Sequence, residues 1–273
     1  MKKESTLSET LFSMLSVDEL LPQYPENQRT FRAFILREYL QYKILQIVFA
    51  QPEYASQLCF LGGTCLRIVH GNNRFSEDID FDNFGLSEKN FQSISERIKK
   101  ELEREGYEVE MKTIFKGAFH CYVRFPGLLF KEGLAGHQKQ KILIQLDTEP
   151  QHFDFQPEKH ILNKFDVFTE IPVAPPNLLL AQKFYTIVNR KRSKGRDFFD
   201  VIFLLSKNIK PNYDYLRMKL GIGDSKTLKA KILETCSKLN MKEMASDVAP
   251  FLFNATEAKK VELFEKYLKQ VEL

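Results

Sequence analysis

The 273-residue chain is poor in the features that would place it in several broad classes. Its longest apolar runs, such as Val201 to Leu205, fall far short of the ~20 residues that a membrane span requires, so no membrane association is expected. The four cysteines, at 59, 65, 121 and 236, show no Cys-x-x-Cys spacing, and the five histidines make no zinc pattern with them. Reduced, mostly buried thiols are the expectation. Residues 1–6 carry lysines but no following apolar stretch, so a secretory leader is not expected and the chain is expected in the cytoplasm. Glycine (12) and proline (11) are too few for a collagenous chain, and a hydrophobic fraction of 43% is too high for a disordered one. A net charge of +4 is too small to argue for a nucleic-acid partner unless the excess is concentrated locally.

What is present is a patterned globular chain. Apolar residues from Arg29 to Ala50 recur at helical spacing and Pro52 closes the segment. Leu58-Cys59-Phe60-Leu61 predicts a short strand ending in the Gly62-Gly63 turn, followed by a helix from Thr64 to His70. Asp78 to Asp82 alternates acidic and apolar residues and predicts another strand. Ser87 can cap a helix running to about Glu105, with Gly106 as its stop. Strands are predicted over 107–115, 118–125 and 141–147. Pro172, Pro175 and Pro176 punctuate the chain most strongly, and beyond them helices are predicted over 177–192, 197–207, 213–220, 225–239 and 257–273. This divides the chain into an N-terminal helical segment (1–57), a sheet-based core (58–175) and a C-terminal helical domain (176–273).

Asp78 and Asp80 leave the same face of their strand, with Cα atoms about 6–7 Å apart, while Ile79 and Phe81 point into the core and fix the register. On the strand 141–147, Ile142, Ile144 and Leu146 face one way and Asp147 ends the other row, where it can stand beside the pair. Three carboxylates on two strands offer the hard oxygen ligands Mg²⁺ takes, and two such ions would serve a phosphoryl displacement. Taken alone, Asp-x-Asp is more readily the solvated face of a half-buried strand, since short alternating motifs often arise by chance. Asp82 extends the acidic row, but Ile79 and Phe81 bracket Asp80 and favour 78 and 80. Glycines between a strand and a helix also let backbone N–H groups approach a phosphate.

Leu61-Gly62-Gly63-Thr64-Cys65-Leu66-Arg67 followed by Arg74-Phe75-Ser76-Glu77-Asp78-Ile79-Asp80-Phe81 resembles the AbiEii/AbiGii toxin family of nucleotidyltransferases, within the polymerase β-like superfamily. A second block, Lys183 to Arg190 and then Lys194-Gly195-Arg196-Asp197-Phe198-Phe199-Asp200, is similar to that family's Lys-containing helix and its Arg-Asp-x-x-Asp helix. The resemblance covers roughly residues 58–207. The 14 residues from 64 to 77 between Gly63 and Asp78 are slightly more than the general superfamily spacing.

The fold so implied is α+β, a nucleotidyltransferase-type mixed sheet with flanking helices followed by a C-terminal helical bundle. The implied activity is transfer of a nucleoside monophosphate from an NTP to an acceptor hydroxyl, tRNA or another RNA among the options, with release of pyrophosphate. Asp78, Asp80 and Asp147 would hold Mg²⁺, two ions being expected. Asp147 would also help activate the acceptor, and Gly62, Gly63 and Thr64 would receive the nucleotide. The resemblance further implies a toxin of a toxin–antitoxin or phage-defence system with a cognate antitoxin.

Six cations lie between 183 and 196 with no acid among them. Lys183 is the candidate for the triphosphate, and Arg190, seven residues on, shares its helix face. Lys191, Arg192 and Lys194 are as well explained by a solvated helix end. Arg74 and Ser76 can contact phosphate or simply brace the loop before Asp78. Asp197 gains weight from the resemblance, whereas Asp200 is adequately explained by the helix dipole. His120 and His70 show no partner in sequence and read as structural. Two other functions stay open: a nucleotide- or RNA-binding module without transfer chemistry, and a transferase acting on a small molecule or protein.

Overall fold

The structure, a computed structural model, describes residues 14–273. The sequence reading of residues 1–6, and the start of the segment 1–57, lie outside the described residues.

Seven strands form one mixed sheet in the order β3-β4-β5-β2-β1-β7-β6. They are β1 (Leu58–Leu61), β2 (Ile79–Asn83), β3 (Glu110–Lys116), β4 (Ala118–Phe125), β5 (Ile142–Glu149), β6 (Glu158–Lys164) and β7 (Val167–Val173). β2 runs parallel to β5, and β1 meets β7 in parallel through Phe60 and Val173; the remaining neighbours are antiparallel.

One face of the sheet is covered by two helices. α1 (Arg32–Phe49) is buried around nearly its whole circumference, so its polar residues need partners inside the protein. Glu38 receives Arg67 (2.7 Å), Lys164 (2.9 Å) and the Tyr24 hydroxyl (2.7 Å), and Lys43 pairs with Glu105 and Asp166. Phe49 of α1 meets Phe81 of β2 edge-on at 5.8 Å, which fixes the apolar side of β2 against this layer. α2 (Gly62–Ile68) follows β1 directly. α3 (Glu88–Arg104) starts at Ser87, whose side chain accepts the Asn90 N–H, and buries Phe91, Ile94, Ile98 and Leu102 along one stripe. Gly106, at φ +92°, turns the chain away from it.

Because Ile79 and Phe81 face α1, Asp80 and Asp82 face the opposite side of the sheet, and Asp78 stands immediately before β2 rather than within it. That side is approached by the C-terminal helices α4 (Pro176–Asn189), α5 (Gly195–Ser206), α6 (Tyr213–Leu220), α7 (Ser225–Cys236), α8 (Met241–Val248) and α9 (Phe264–Gln270). Pro176 sits in the first turn of α4, where a missing N–H costs nothing.

The α+β class stands. β6, β7 and α8 are additions to the elements expected from sequence, and Pro172 lies inside β7 rather than beyond the sheet. The expected helix over 257–273 is broken into a 3₁₀ turn, a four-residue helix (Lys259–Glu262) and α9. The four cysteines are free and buried.

Candidate active site

The carboxylate strand is held from three directions. The Thr64 hydroxyl of α2 donates to the Asp78 carbonyl, fixing the start of β2 against the glycine turn. Gln41 of α1 donates to the carbonyls of Ser76 (3.1 Å) and Glu77 (2.9 Å), and the Glu77 carboxylate takes Arg37 and Arg196. The Phe75 N–H donates to the Phe251 carbonyl (2.9 Å), while Arg74 and Leu252 form an isolated β-bridge. The Phe75 ring stacks on Phe34 at 5.1 Å and meets Phe253 edge-on at 4.8 Å. The loop 72–77 is thus clamped between α1 and the segment after α8.

The glycine turn is shaped by its neighbours. Gly62 has φ +81°, and a Cβ there would fall 2.1 Å from Asp80 Oδ2; one on Gly63 would fall 2.7 Å from Arg74 Nη2. Side chains at either position would displace Asp80 or Arg74.

Asp80 and Asp147 are register partners on β2 and β5. Asp147 Oδ1 lies 2.6 Å from His120 Nδ1 on β4, and Gln145 Nε2 donates to both Asp147 oxygens at 2.8 and 3.0 Å. An ionised carboxylate only accepts, so against ionised Asp147 the His120 tautomer with its proton on Nδ1 is the one that completes the bond. Sequence reasoning missed His120 because its partner is 27 residues away; its alternation with Tyr122 on the Asp147 side of β4 was the available signal.

Burial pushes the Asp80 carboxyl up to about 7, with the charges of Asp147 and Asp78 adding to it and those of Lys183 and Arg190 opposing it. Asp78 is raised by burial, then by Glu77 and Asp147, and is eased by Arg196 and Arg37. Lys183 and Arg190 therefore stand close enough to oppose the acidic cluster electrostatically. Among the described residues no three His, Cys, Asp or Glu side chains are gathered closely enough to hold a metal as they stand. The donor chemistry nevertheless fits a hard divalent cation: Asp78 and Asp80 stay raised despite the nearby lysine and arginines, and with Asp147 they offer the oxygen ligands such an ion takes.

The second block is a buried ion network. Asp200, fully buried, takes a bidentate fork from Arg74 (2.7 Å for each bond), the Asn72 amide (2.7 Å) and Lys183 (2.8 Å). Asp197 takes Lys183 (3.0 Å) and Arg190 (2.7 Å). Burial works against the Asp200 charge, but Arg74 and Lys183 overcome it and hold the carboxyl below its usual range. Asp200, which the dipole argument treated as a helix-end acid, is the hub joining α4, α5 and the loop before β2. Arg74 is only 1% exposed and is committed to Asp200 and the Phe75 carbonyl. Arg190 keeps 43% of its side chain exposed. Gly62, Gly63, Thr64, Ser76, Asp78, Asp80 and Asp147 thus gather at one end of β2, with Lys183, Arg190 and Asp197 in the adjoining network. Lys191 and Arg192 are exposed.

Comparison with known proteins follows the same outline. No curated protein sequence matches the chain. Among solved structures, a Helicobacter pylori protein provisionally described as a nucleotidyltransferase is 17% identical, with 92% of this chain and 100% of that one covered at a TM-score of 0.51. JHP933 from Helicobacter pylori is 18% identical over 87% of this chain and 94% of that one, at 0.48. An antigenic nucleotidyltransferase-like protein from Paracoccidioides brasiliensis is 16% identical over 79% and 95%, at 0.42. The first of these shares the fold. The sequence profile of the nucleotidyl transferase AbiEii toxin family, from type IV toxin–antitoxin systems, matches residues 43–267, which include the sheet, the carboxylate strand and the Asp200 network. The chain belongs to the AbiEii nucleotidyl transferase toxin family.

Proposed function

We propose that the protein transfers a nucleoside monophosphate from an NTP to an RNA hydroxyl, with tRNA the leading acceptor, and releases pyrophosphate. The observation that carries this reading is the pairing of Asp80 with Asp147 across β2 and β5, with Asp78 beside them and the glycine turn against Asp80. Asp78, Asp80 and Asp147 would hold Mg²⁺, which supplies Lewis-acid charge to the phosphates.

The chain's own residues do the rest. The Gly62–Gly63 backbone, bare of side chains, admits the triphosphate next to Asp80. Arg190, half-free of Asp197, offers a guanidinium to the phosphates, and Lys183 supplies fixed positive potential from inside the Asp200 network. Asp147 accepts the proton of the attacking hydroxyl, and His120 and Gln145 hold its carboxylate in place for that transfer. The family's type IV toxin–antitoxin setting supports a toxic role in the cytoplasm restrained by an antitoxin.

The test is incubation of the protein and of Asp80→Ala with Mg²⁺, each α-labelled NTP, total RNA and cell protein. Label entering RNA with the parent alone supports the reading. Label in protein, in neither pool, or equally with the variant overturns it.

A further inference from the structure

Asp82 continues the acidic row but does not belong with the three carboxylates. It is 1% exposed, and its Oδ1 accepts the Gln151 N–H at 2.9 Å, while Oδ2 has no hydrogen-bond partner. The Asn83 backbone N–H approaches the carboxylate and favours its charge, as the fields of Lys219 and His152 do. A buried carboxylate oxygen left without a donor is costly, and such groups in native folds call for an explanation.

Asp82 lines a cleft of about 530 Å³ where β1 begins and β2 ends. Phe84, Phe153 and Phe155 line it as well. Phe84 is 39% exposed and meets Phe155 edge-on at 5.5 Å, and Phe153 is braced edge-on against Tyr215 at 5.3 Å. Among the described residues that line the cleft there is no lysine or arginine, whereas Asp154 joins Asp82 there. The two carboxylates make the cleft a poor seat for an anion such as phosphate. The lining suits a flat ligand with apolar faces and an N–H donor on its edge.

We propose that this cleft is a nucleobase site, in which Asp82 Oδ2 accepts an N–H from an exocyclic amino group while the Phe84–Phe155 pair forms an apolar wall for one face of the ring. Adenine, cytosine and guanine carry that group. Uracil does not: its N3–H is flanked by two carbonyls whose lone pairs would face the carboxylate. Asp82 lies two residues beyond Asp80 on the same face of β2, about 7 Å along the strand, so the cleft opens at the far end of β2 from the glycine turn. The base can come from the NTP or from the acceptor. Only that choice of source rests on the transferase reading; the site itself does not.

The test is direct binding of adenosine, guanosine, cytidine and uridine, none of which carries a phosphate, to the full chain by equilibrium dialysis. At least one amino-bearing nucleoside binds about tenfold or more tighter than uridine, and Asp82→Asn removes that preference. Phe84→Ala, at an exposed position that leaves the core intact, weakens binding of the preferred nucleoside. No saturable binding, equal affinity for all four, or a preference that survives Asp82→Asn would overturn the proposal, whether or not nucleotide transfer is found. With transfer in hand, a raised KM for NTP in Asp82→Asn identifies the donor's base as the occupant, and a raised KM for RNA identifies the acceptor's.

Discussion

Asp80 and Asp147 occupy matching positions on adjacent parallel strands, and among the described residues no lysine or arginine forms an ion pair with either. The charge that both lack is the basis of the first prediction. Because folding raises the Asp80 carboxyl to about 7 from its usual value near 4, the folded protein holds that proton more tightly than the unfolded chain. Its contribution to stability is therefore lost as pH rises from about 4 to 7. In chelator at pH 8, Asp80→Asn is expected to melt higher than the parent, with the gap closing toward pH 5. Thermal melts across that range check it. The same variant is expected to lose about a hundredfold or more in transfer rate.

Gly62→Ala is expected to abolish transfer while leaving a folded protein. The new methyl would meet Asp80 Oδ2 and sit on a backbone at φ +81°, a conformation that costs an L residue about 1–2 kcal/mol. Circular dichroism alongside a single-turnover transfer assay separates the two effects.

Removing Asp200 strands Arg74 and Lys183 without their shared counter-charge inside the protein. Asp200→Ala is expected to destabilise the fold by about 3–5 kcal/mol, measured by urea unfolding. Arg190→Ala, which removes a partly exposed cation and leaves Asp197 still paired with Lys183, is expected to cost much less stability and to raise the KM for NTP.

His120→Ala is expected to lower kcat by about tenfold to a hundredfold, with the KM for NTP unchanged, because it loosens Asp147 and touches no phosphate. His120→Asn, which restores a donor on a side chain of similar reach, is expected to recover part of the loss. Equal effects of both variants on kcat and NTP KM would remove His120 from this role.

The elements legible in the sequence are those whose signals are local. The apolar spacing of α1, the Ser87 cap and Gly106 stop of α3, and the alternation of β2 all report contacts made within a few residues. β6 and β7 were not legible because β6 is an edge strand exposing Ile161, and Pro172 in β7 reads as a breaker unless its thin pairing with β1 is known. α8 did carry local marks, Asn240 capping Lys242 and Glu243 and the helical spacing of Met241, Met244, Ala245 and Val248, but the helix is only eight residues long. In the site, the carboxylates could be assigned to one face by alternation. The Asp200 hub could not, since Arg74 stands 126 residues from it and only the folded chain brings them together.

The clamp on the loop before β2 also sets an order on synthesis. Asp78 is positioned by a loop that needs Asp200 for Arg74 and the segment 251–253 for Phe75. A nascent chain on the ribosome carries all three carboxylates by residue 147 yet lacks the pieces that hold their strand until residue 253 has emerged. The site's geometry therefore depends on chain contributed from well beyond the sheet, so a truncation before residue 251 that keeps every carboxylate still loses the contacts that hold their strand.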